Sequence, residues 1–566
     1  MKKVLSYLKN YKKECVLAPL FKMLEASFEL LIPLVVANLI DNGIGGGNKS
    51  VIFQSFIIMI ALGFIGLAAS VTAQYFAAKA AVNFAADIRH SLFEHLMRLD
   101  FSQIDNIGTS TMITRMTSDI NQLQNGVNMV LRLFLRSPFV VLGAMIMAFT
   151  IDVKCALIFL LVIIVLSFVV FGLMIVDIRL AGKVQTKLDT VLSATRENLY
   201  GVRVIRAFCK EKEENDEFIA SDSLLSKALK LASNMSSIMN PLTYIIINLA
   251  IIFLIYMCGV NVSCGILSTG DVVALYNYMS QILVELIKLA NLIVLIIKSV
   301  ASGQRVAQVF EINSCMEYGT VESGTDTEEA VRFNHVSLTY EGAGESSLSD
   351  ISFEVNKGET IGIIGATGCG KSSLVHMITR FYDATEGEIL LFGKNIKEYS
   401  QNALRSFVGI VMQKAVLFKG TVGSNLSLNG NNISTKDIED SLQIAVADEF
   451  ATEDTLVEQG GKNLSGGQRQ RISVARTIIG KPQILILDDS SSALDYLTDL
   501  KMRKAIAKLE YNPTVFIVSA RCASVMDADK IIVLEDGRIV GIGKHNQLLD
   551  SCEIYKEIYD SQYKEA

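Results

Sequence analysis

The sequence is poor in charge and lacks the motifs of metal-binding or disulfide-stabilised proteins. Only 19% of its 566 residues are charged, whereas 51% are hydrophobic and the mean hydropathy is +0.39. This composition excludes an ordinary soluble protein and indicates membrane spans. The length exceeds one ordinary domain, so we expect at least two. The net charge of −6 identifies no class of partner.

The cysteines are odd in number and scattered, without a CxxC pair or a histidine-rich cluster. This pattern argues against a zinc site and against a disulfide framework. Cys258 and Cys264 flank a predicted outer loop and form the only pair worth testing. The first residues, "MKKVLSYLKNYKKE", are too polar for a cleavable signal peptide. The nine cysteines are Cys15, Cys155, Cys209, Cys258, Cys264, Cys315, Cys369, Cys522 and Cys552.

Residues 1–300 contain six apolar stretches, each able to supply the roughly 20 residues that cross a bilayer as a helix. A core helix or strand of a soluble protein would explain one such stretch, but not six. We therefore predict an all-α polytopic membrane domain with six long helices. The stretches lie near 16–40, 51–80, 127–150, 155–176, 242–262 and 272–297.

The links between these stretches differ in charge. The short links "DNGIGGGNKS", "TIDVK" and "NVSCGILSTGD" contain one, one and no Lys or Arg, whereas the other links and the N-terminal segment are basic. The positive-inside rule therefore puts both termini in the cytoplasm. The Lys-rich start predicts an interfacial helix on the inner leaflet, with a solvated tail as the alternative. The basic residues include Lys2, Lys3, Lys9, Lys12, Lys13, Arg89, Arg98, Arg115, Arg179, Lys183, Lys187, Arg196, Arg203, Arg206, Lys210 and Lys212.

The two inner connections are long, with about 50 residues between spans two and three and about 65 between spans four and five. Neither is rich in Gly or Pro, and both keep a helical period, as in "ADIRHSLFEHLMRLDF". Structureless loops of that size are rare in compact proteins. We therefore predict that the spans continue as long helices into the cytoplasm, with a turn at each tip.

The composition changes near Ala301. Segment 301–330, with "NSCMEYGTVESGTDTEEA", is polar and acidic and predicts a linker. Over 331–566, helical stretches alternate with the strand-like segments "VRFNHVSLTY", "ETIGIIG", "SFVGIVM", "QILILDD" and "TVFIVSA". This alternation predicts an α/β nucleotide-binding domain.

The segment "GATGCGKSS" lies between "ETIGIIG" and the helix-like "SSLVHMITRF". It matches G-x-x-x-x-G-K-[ST] in the strand–loop–helix context that a phosphate-binding loop (P-loop) requires. Backbone N–H groups of such a loop surround phosphates, and the helix N-terminus adds positive potential. Lys371 is expected to reach the β- and γ-phosphates of ATP, and Ser372 with Asp488 to bind Mg²⁺. The loop comprises Gly365, Ala366, Thr367, Gly368, Cys369, Gly370, Lys371, Ser372 and Ser373.

The string "LSGGQRQR" lies between this loop and "LDDSSSALD" in the sequence. This order of motifs resembles that of the ATP-binding cassette (ABC) family. Six spans followed by one cassette are similar to an ABC exporter half-transporter, over nearly the whole chain. The resemblance implies a P-loop domain with a helical subdomain, ATP-driven export, and paired cassettes that share each ATP. It also implies contacts with membrane lipids and a small, amphipathic substrate, and none with nucleic acid.

The resemblance assigns further roles, position by position. The signature loop would grip the γ-phosphate of ATP held by the opposite cassette. Tyr340 would stack on adenine, Gln413 would sense Mg²⁺ and couple to the membrane domain, and Asp495 would cross the dimer interface. "IGTSTMITRMTSDI" and "ENLYGVRVIRAFCKEKEE" look like the cytoplasmic loop tips whose short helices dock on the cassettes. The signature loop consists of Ser465, Gly466, Gly467 and Gln468.

Two positions depart from the family pattern. Asp489 replaces the glutamate that polarises the attacking water, and its reach is shorter by roughly 1.3 Å. A misplacement of about 1 Å can cost on the order of 10²-fold in rate. Ala520 replaces the histidine that hydrogen-bonds the γ-phosphate, and a methyl group cannot do so. We therefore predict a pocket that binds ATP and hydrolyses it poorly.

Because the signature loop is intact, the departures at Asp489 and Ala520 bear on which assembly this chain forms. In a homodimer both composite sites would carry both defects, whereas a different partner half-transporter could supply Glu and His. The sequence thus favours one half of a heterodimeric multidrug exporter in a bacterial cytoplasmic membrane. The alternatives are a homodimeric exporter, a pump for a lipid, peptide or metallophore, and a catalytically weak subunit that completes its partner's site.

Ionisable residues inside the predicted spans allow two interpretations. Such residues are costly in a membrane and usually face the protein interior or a water-filled cavity. The glutamates either form part of a site for cationic substrates, or pair with the arginines or lie near the interface. The residues are Glu25, Glu29, Arg132, Arg136, Glu285 and Lys288.

Overall fold

The computed structural model describes residues 1–429 and 433–563, which fall into two compact units. The first unit comprises Met1–Met97 and Thr109–Ile312. The second comprises Arg98–Gly108 and the chain from Asn313 onward. A short segment remote in sequence is therefore part of the second unit.

The first unit is entirely helical, and the described residues include six helical segments long and apolar enough to cross a membrane. The six predicted spans are thus confirmed. Those segments are Lys2–Gly45, Lys49–Met97, Thr109–Ile151, Val153–Tyr200, Glu211–Ser263 and Thr269–Glu311. The α-helices are α1 (Lys2–Ser6), α2 (Lys12–Asn38), α3 (Lys49–Met97), α5 (Thr109–Thr114), α6 (Ile120–Leu133), α7 (Arg136–Ile151), α8 (Val153–Tyr200), α9 (Val202–Ala207), α10 (Glu211–Ser263) and α11 (Thr269–Glu311), with α4 (Phe101–Ile107) in the second unit.

Small side chains let the first two long helices pack closely. Helix α3 buries a row of alanines, including Ala69, Ala73, Ala77 and Ala80, and its main helical neighbour is α2. Between membrane helices, small residues permit close backbone approach and thus strong van der Waals contact. Large apolar side chains of α3, such as Phe64, are exposed, as expected of a surface that faces lipid.

A polar contact is embedded in the apolar core that α2, α7, α8, α10 and α11 share. Tyr278 is fully buried there and donates a hydrogen bond to the carbonyl of Leu30 at 2.7 Å. Cys258 lies in the same core against Cys155, with 3.4 Å between the two sulfur atoms, while Cys264 is exposed. All nine described cysteines are free thiols, and the structure pairs Cys258 with Cys155 rather than with Cys264.

The second unit contains strands and shorter helices. Its strands are β1 (Glu329–Leu338), β2 (Leu348–Asn356), β3 (Thr360–Gly365), β4 (Glu386–Leu391), β5 (Lys394–Asn395), β6 (Val408–Val411), β7 (Gly420–Thr421), β8 (Leu456–Val457), β9 (Ile484–Asp488), β10 (Thr514–Val518), β11 (Lys530–Glu535) and β12 (Arg538–Gly543). Its remaining helices are α12 (Lys371–Ile378), α13 (Gln401–Phe407), α14 (Val422–Leu426), α15 (Thr435–Ile444), α16 (Gly466–Ile478), α17 (Tyr496–Ile506), α18 (Cys522–Val525), α19 (His545–Ser551) and α20 (Glu553–Tyr563).

The described strands form three sheets, of which the largest has the order β12-β11-β3-β10-β9-β6. Its central strands β3, β10 and β9 are parallel and buried, as their continuous apolar sequences predict. Parallel strands bring their carboxyl ends to one edge of a sheet, where open α/β sheets bind ligands. The loop after β3 and the carboxylate that ends β9 therefore meet at that edge. The predicted α/β nucleotide-binding domain is confirmed.

A long helix extends into the segment predicted as a linker. Helix α11 continues to Glu311 and so contains the first residues of segment 301–330. Beyond it, Asp100 accepts hydrogen bonds from the backbone N–H groups of Cys315 at 2.9 Å and Met316 at 3.1 Å. Phe101, at the start of α4, stacks on Phe381 with ring centroids 4.1 Å apart. These contacts attach α4 to the second unit.

Five charged residues of the predicted spans lie in ion pairs: Glu25, Glu29, Arg136, Glu285 and Lys288. Glu29 and Glu285 both contact Arg136, and Glu25 contacts Lys22 at 2.5 Å. The pairing interpretation is therefore confirmed for Glu29. The partner of Glu25 is a lysine on its own helix rather than an arginine.

Candidate functional site

The P-loop occupies the predicted turn between β3 and α12. Gly370 adopts φ 97°, a left-handed conformation that glycine allows without strain. The Lys371 ammonium donates hydrogen bonds to the carbonyls of Gly365 at 2.9 Å and Ala366 at 2.7 Å. Burial raises the pKa of the Cys369 thiol within the same loop. Lys371 thus lies over the loop whose backbone would surround the phosphates.

The predicted Mg²⁺ ligands are brought together. The Ser372 hydroxyl donates to Asp488 Oδ1 at 2.9 Å, and Asp488 is 2% exposed. Hydroxyl and carboxylate oxygens are the hard donors that Mg²⁺ prefers, so this pair fits the metal. His376 Nε2 is 3.6 Å from Asp488 Oδ2 and has no hydrogen-bond partner among the described residues. Sequence reasoning missed His376, although its spacing of four from Ser372 places both on one helix face.

Gln413 and Asp489 are also neighbours. The Gln413 carboxamide donates to Asp489 Oδ2 at 3.4 Å. Asp489 has φ 44°, and its N–H donates to the carbonyl of Val518 at 3.0 Å. The turn after β9 is therefore fixed by the adjacent strand β10, and the shortened carboxylate lies beside Gln413.

The backbone around Ala520 is held by the last described helix. Gln562 of α20 donates from Nε2 to the Ala520 carbonyl at 2.9 Å and accepts from the Cys522 N–H at 2.9 Å. Burial raises the pKa of Cys522 to about 11. Ala520 itself presents only a methyl group. Gln562 belongs to no recognisable motif, so no sequence signal could have indicated this contact.

Tyr340 is connected to helix α4 through a second tyrosine. Its hydroxyl donates to Ser373 Oγ at 2.9 Å, and Tyr382 packs edge-on against its ring at 5.0 Å. The Tyr382 hydroxyl donates to Asp105 of α4 at 2.5 Å. Burial, reinforced by Asp105, raises the pKa of Tyr382 above its ordinary value. Tyr382 and Asp105 were not indicated by the sequence.

The signature residues form the N-terminus of helix α16. Ser465 caps α16 by accepting from the Gln468 N–H at 3.2 Å, and Gln468 Oε1 accepts from the Ser465 N–H at 2.9 Å. Gly467 lies so close to Ala493 that a Cβ would be 2.9 Å from its carbonyl oxygen. Gly466 and Gln413 line one cavity of about 420 Å³.

Asp495 likewise begins a helix, α17. Its carboxylate accepts from the Thr498 N–H at 3.0 Å, and this hydrogen bond lowers the pKa of Asp495. The candidate site thus consists of two groups of residues. The first group comprises the P-loop, Asp488, Asp489 and Gln413. The second group comprises the signature loop and the adjacent segment that leads to Asp495.

Gly370→Ala is expected to abolish detectable ATP binding. A Cβ at Gly370 would lie 2.7 Å from Leu348 Cδ2 and 2.8 Å from the Ser347 carbonyl oxygen, in addition to the strain of positive φ. Together these cost about 2–4 kcal/mol. Equilibrium binding of a fluorescent ATP analogue would measure the loss. Gly368→Ala is the matched control, since Gly368 has φ 89° but no atom within 4 Å of its Cβ position. Equal losses in both variants would contradict the steric explanation.

Comparisons with known proteins agree with this architecture. Residues 15–286 match the family described as ABC transporter transmembrane region, and residues 348–492 match the family described as ABC transporter. The chain is 33% identical to the ABC transporter ATP-binding protein YfiB of Bacillus subtilis, covering 100% of this chain and 99% of that protein. It is 32% identical to YgaD of the same species, which is named for multidrug export, over 100% and 98% of the two chains.

More distant relatives share the whole length. The ATP-dependent lipid A-core flippase of Vibrio vulnificus is 26% identical, covering 100% of this chain and 98% of that protein. The solved structure of a bacterial Atm1-family ABC exporter with ATP bound superposes with a TM-score of 0.80 over 98% of both chains, at 22% identity, and shows the same fold. The chain therefore belongs to the ABC transporters and is an ATP-driven, multi-pass exporter with a membrane domain followed by one ATP-binding cassette.

Proposed function

We propose that this chain is the degenerate-site half of a heterodimeric exporter in a bacterial cytoplasmic membrane, with both termini in the cytoplasm. One observation carries the proposal: Asp489 and Ala520 occur in a cassette that retains the P-loop, Asp488 and the complete signature sequence. Loss of two catalytic groups without loss of the ATP-binding groups points to a pocket that binds ATP and turns it over slowly. The signature loop of this chain then serves the hydrolytic site of a different partner.

Each residue has a distinct part in the proposed site. Lys371 neutralises phosphate charge, and Ser372 with Asp488 would hold Mg²⁺, which offsets the charge that develops during phosphoryl transfer. The Asp489 carboxylate orients the attacking water poorly because it is one methylene shorter than glutamate. The Ala520 methyl group leaves the γ-phosphate without a hydrogen-bond donor at that position. ATP would thus remain bound at this site for longer than at the partner's site.

The geometry of the signature loop supports its role in a partner's site. The two hydrogen bonds between Ser465 and Gln468 fix the N-terminus of α16, whose N–H groups and dipole favour an anion. In the proposed dimer this helix end faces the γ-phosphate of ATP on the partner's P-loop. Asp495, which caps α17, lies on the same proposed dimer interface.

The second cytoplasmic loop supports a dimeric assembly. Helix α9 is flanked by Tyr200 and Phe208, which are 91% and 71% exposed. Large aromatic side chains that are this exposed at one tip are typical of an interaction surface. In the proposed assembly this tip docks on the partner's cassette, while α4, the tip of the first loop, packs on the cassette of its own chain.

The proposed cargo is a small amphipathic compound, as in multidrug export. One relative is named for multidrug export and another for lipid A-core transport. An amphiphilic compound is a cargo compatible with both names. A homodimer, and a cargo that is a lipid, peptide or metallophore, are the competing assignments.

ATPase assays on this chain alone test the proposal. We expect turnover at least about 100-fold below that of the chain co-purified with a half-transporter that has Glu after its β9-equivalent aspartate. Asp489→Glu combined with Ala520→His should raise the rate of the chain alone, because both composite sites of its homodimer then regain their catalytic groups. Rapid hydrolysis by the unmodified chain without a partner would refute the heterodimer.

A further inference from the structure

A polar cavity lies among three helices of the membrane domain. Its volume is about 330 Å³, within the range of ligand pockets, which is about 300–1,000 Å³. Glu29 of α2 and Asn277, Gln281, Glu285 and Lys288 of α11 line it. Polar groups on membrane-spanning helices are rarely retained without a function, so this cavity is the main unassigned feature of the first unit.

The charges around the cavity cancel. Arg136 of α7 forms ion pairs with Glu29 at 2.5 Å and with Glu285, and Lys288 Nζ is 2.9 Å from Glu285 Oε1. Ser137 donates a further hydrogen bond to Glu285 at 2.8 Å. Two carboxylates and two cations give no net charge. A ligand with a single positive charge would therefore have to compete with Arg136 for Glu29, and it would gain no overall attraction.

Two of the charges at the cavity wall, those of Glu29 and Lys288, are nevertheless only partly used. The side chains of Glu29 and Lys288 are 40% and 42% exposed, whereas that of Glu285 is 4% exposed. Lys288 has three N–H donors, of which the Glu285 contact uses one. The buried Gln281 Oε1 has no hydrogen-bond partner among the described residues. The cavity thus offers an acceptor at Glu29 and a donor at Lys288.

Apolar side chains complete the wall. Ile32 and Pro33 of α2, Val140 of α7 and Val284 of α11 line the same space. Val284 is 47% exposed, so the apolar lining extends to the surface of the helices. A ligand with both charges on one head group and an apolar remainder would match both parts of the cavity.

We propose that this cavity binds the zwitterionic head group of an amphiphile. The ammonium group of the ligand would lie against Glu29, and its phosphate or carboxylate against Lys288. This substrate class rests on the proposed export function and narrows it. It replaces the expectation of a site for simple cations, because Arg136 and Lys288 together already neutralise Glu29 and Glu285.

Equilibrium binding to the transporter in phosphatidylglycerol nanodiscs tests the proposal, since no zwitterionic lipid then competes. The probes are dodecylphosphocholine, dodecyltrimethylammonium and dodecyl sulfate, which share one alkyl chain and are kept below micelle-forming concentrations. We expect the zwitterion to bind about tenfold more tightly than either singly charged probe. Phosphocholine without the chain distinguishes a soluble zwitterion from an amphiphile: weaker binding supports the amphiphile, and equally tight binding overturns that part of the proposal.

Two conservative variants assign the contacts. Lys288→Gln should weaken dodecylphosphocholine about tenfold without weakening the trimethylammonium probe, which the remaining net negative charge favours. Glu29→Gln should weaken both probes that carry an ammonium group without weakening the sulfate, which the remaining net positive charge favours. Lys298→Gln, an exposed lysine on the same helix outside the cavity, is the matched control. Size exclusion and thermal unfolding verify folding, and if Glu29→Gln misfolds, the Lys288→Gln comparison still decides.

Equal affinities for the zwitterion and the cation, or no change in probe preference in Lys288→Gln, would overturn the proposal. The export function is read separately, by ATP-dependent uptake of a labelled amphiphile into inverted vesicles. If the zwitterionic probe binds more tightly than the charged probes but no uptake occurs, the binding site is supported and the export of this amphiphile is contradicted. If a cation is taken up and the probe preference is the same in Lys288→Gln and Glu29→Gln as in the unmodified chain, export is supported and the zwitterion site is contradicted.

Discussion

Ser465→Ala should lower the ATPase rate of the assembled transporter by about 100-fold, whereas Lys371→Ala in the same chain should lower it by less than about threefold. The difference arises because the two residues serve different ATP molecules in the proposed heterodimer. Ser465 contacts the ATP that the partner's intact site hydrolyses, and Lys371 contacts the ATP held beside Asp489. Steady-state phosphate release from the purified pair measures both rates.

The control for this experiment is another helix cap in the same cassette. Ser465 also caps α16, so its loss alone would destabilise the helix by about 1 kcal/mol. Ser434 makes the same capping box with Asp437 at the start of α15 and is not part of the signature loop. Ser434→Ala should therefore reproduce the structural effect without the catalytic one. If Lys371→Ala lowers the rate as much as Ser465→Ala, the two sites are equivalent and the degenerate-site assignment fails.

Features encoded by contiguous residues could be predicted from the sequence. The apolar stretches of 1–300 were visible because a bilayer demands long apolar helices whose backbone groups are satisfied internally. The P-loop could be predicted because a phosphate-binding turn requires fixed glycine spacing after a strand. Asp488 could be predicted because it ends a continuous apolar segment that is typical of a buried strand. In both cases a local physical requirement constrains neighbouring residues.

Contacts between distant residues left no such pattern. The packing of α4 with the second unit depends on Asp100 meeting the N–H groups near Cys315, which are more than 200 positions away in the chain. The hydrogen bond from Gln562 to the Ala520 carbonyl depends on a single carboxamide. In the sequence, this glutamine cannot be distinguished from one that is exposed to solvent. A single sequence predicted the motif residues around the candidate site, but not the side chains that connect them to the rest of the unit.

The ion pairs of the membrane domain are an intermediate case. The spacing of Glu25 and Glu29, and of Arg132 and Arg136, placed each pair on one helix face but left their partners open. The structure selects Arg136 as the common partner of Glu29 and Glu285. That choice depends on which helix faces meet, and a single sequence does not give the facing surfaces of separate helices.

Arg136→Met should destabilise the membrane domain by about 3–5 kcal/mol. Arg136 is 6% exposed and pairs with Glu285, which is 3% exposed, so its removal leaves a buried carboxylate with the partly exposed Lys288 as its one remaining ion-pair partner. The free energy of unfolding can be measured by denaturant titration in detergent micelles. Lys298→Met, which removes an exposed charge from α11, is the control and should change stability by less than about 0.5 kcal/mol.

A second substitution separates the uncompensated charge from lost packing. Arg136→Met combined with Glu285→Leu removes both members of the buried pair, and apolar replacements of buried ion pairs are often nearly neutral. The double variant should therefore regain at least about half of the lost stability. The remainder reflects the buried Ser137 hydroxyl, which loses its acceptor at a cost of about 1–3 kcal/mol. If the double variant is less stable than Arg136→Met alone, Lys288 and Ser137 suffice to stabilise the Glu285 carboxylate, and Arg136 is not the counter-charge that this carboxylate requires.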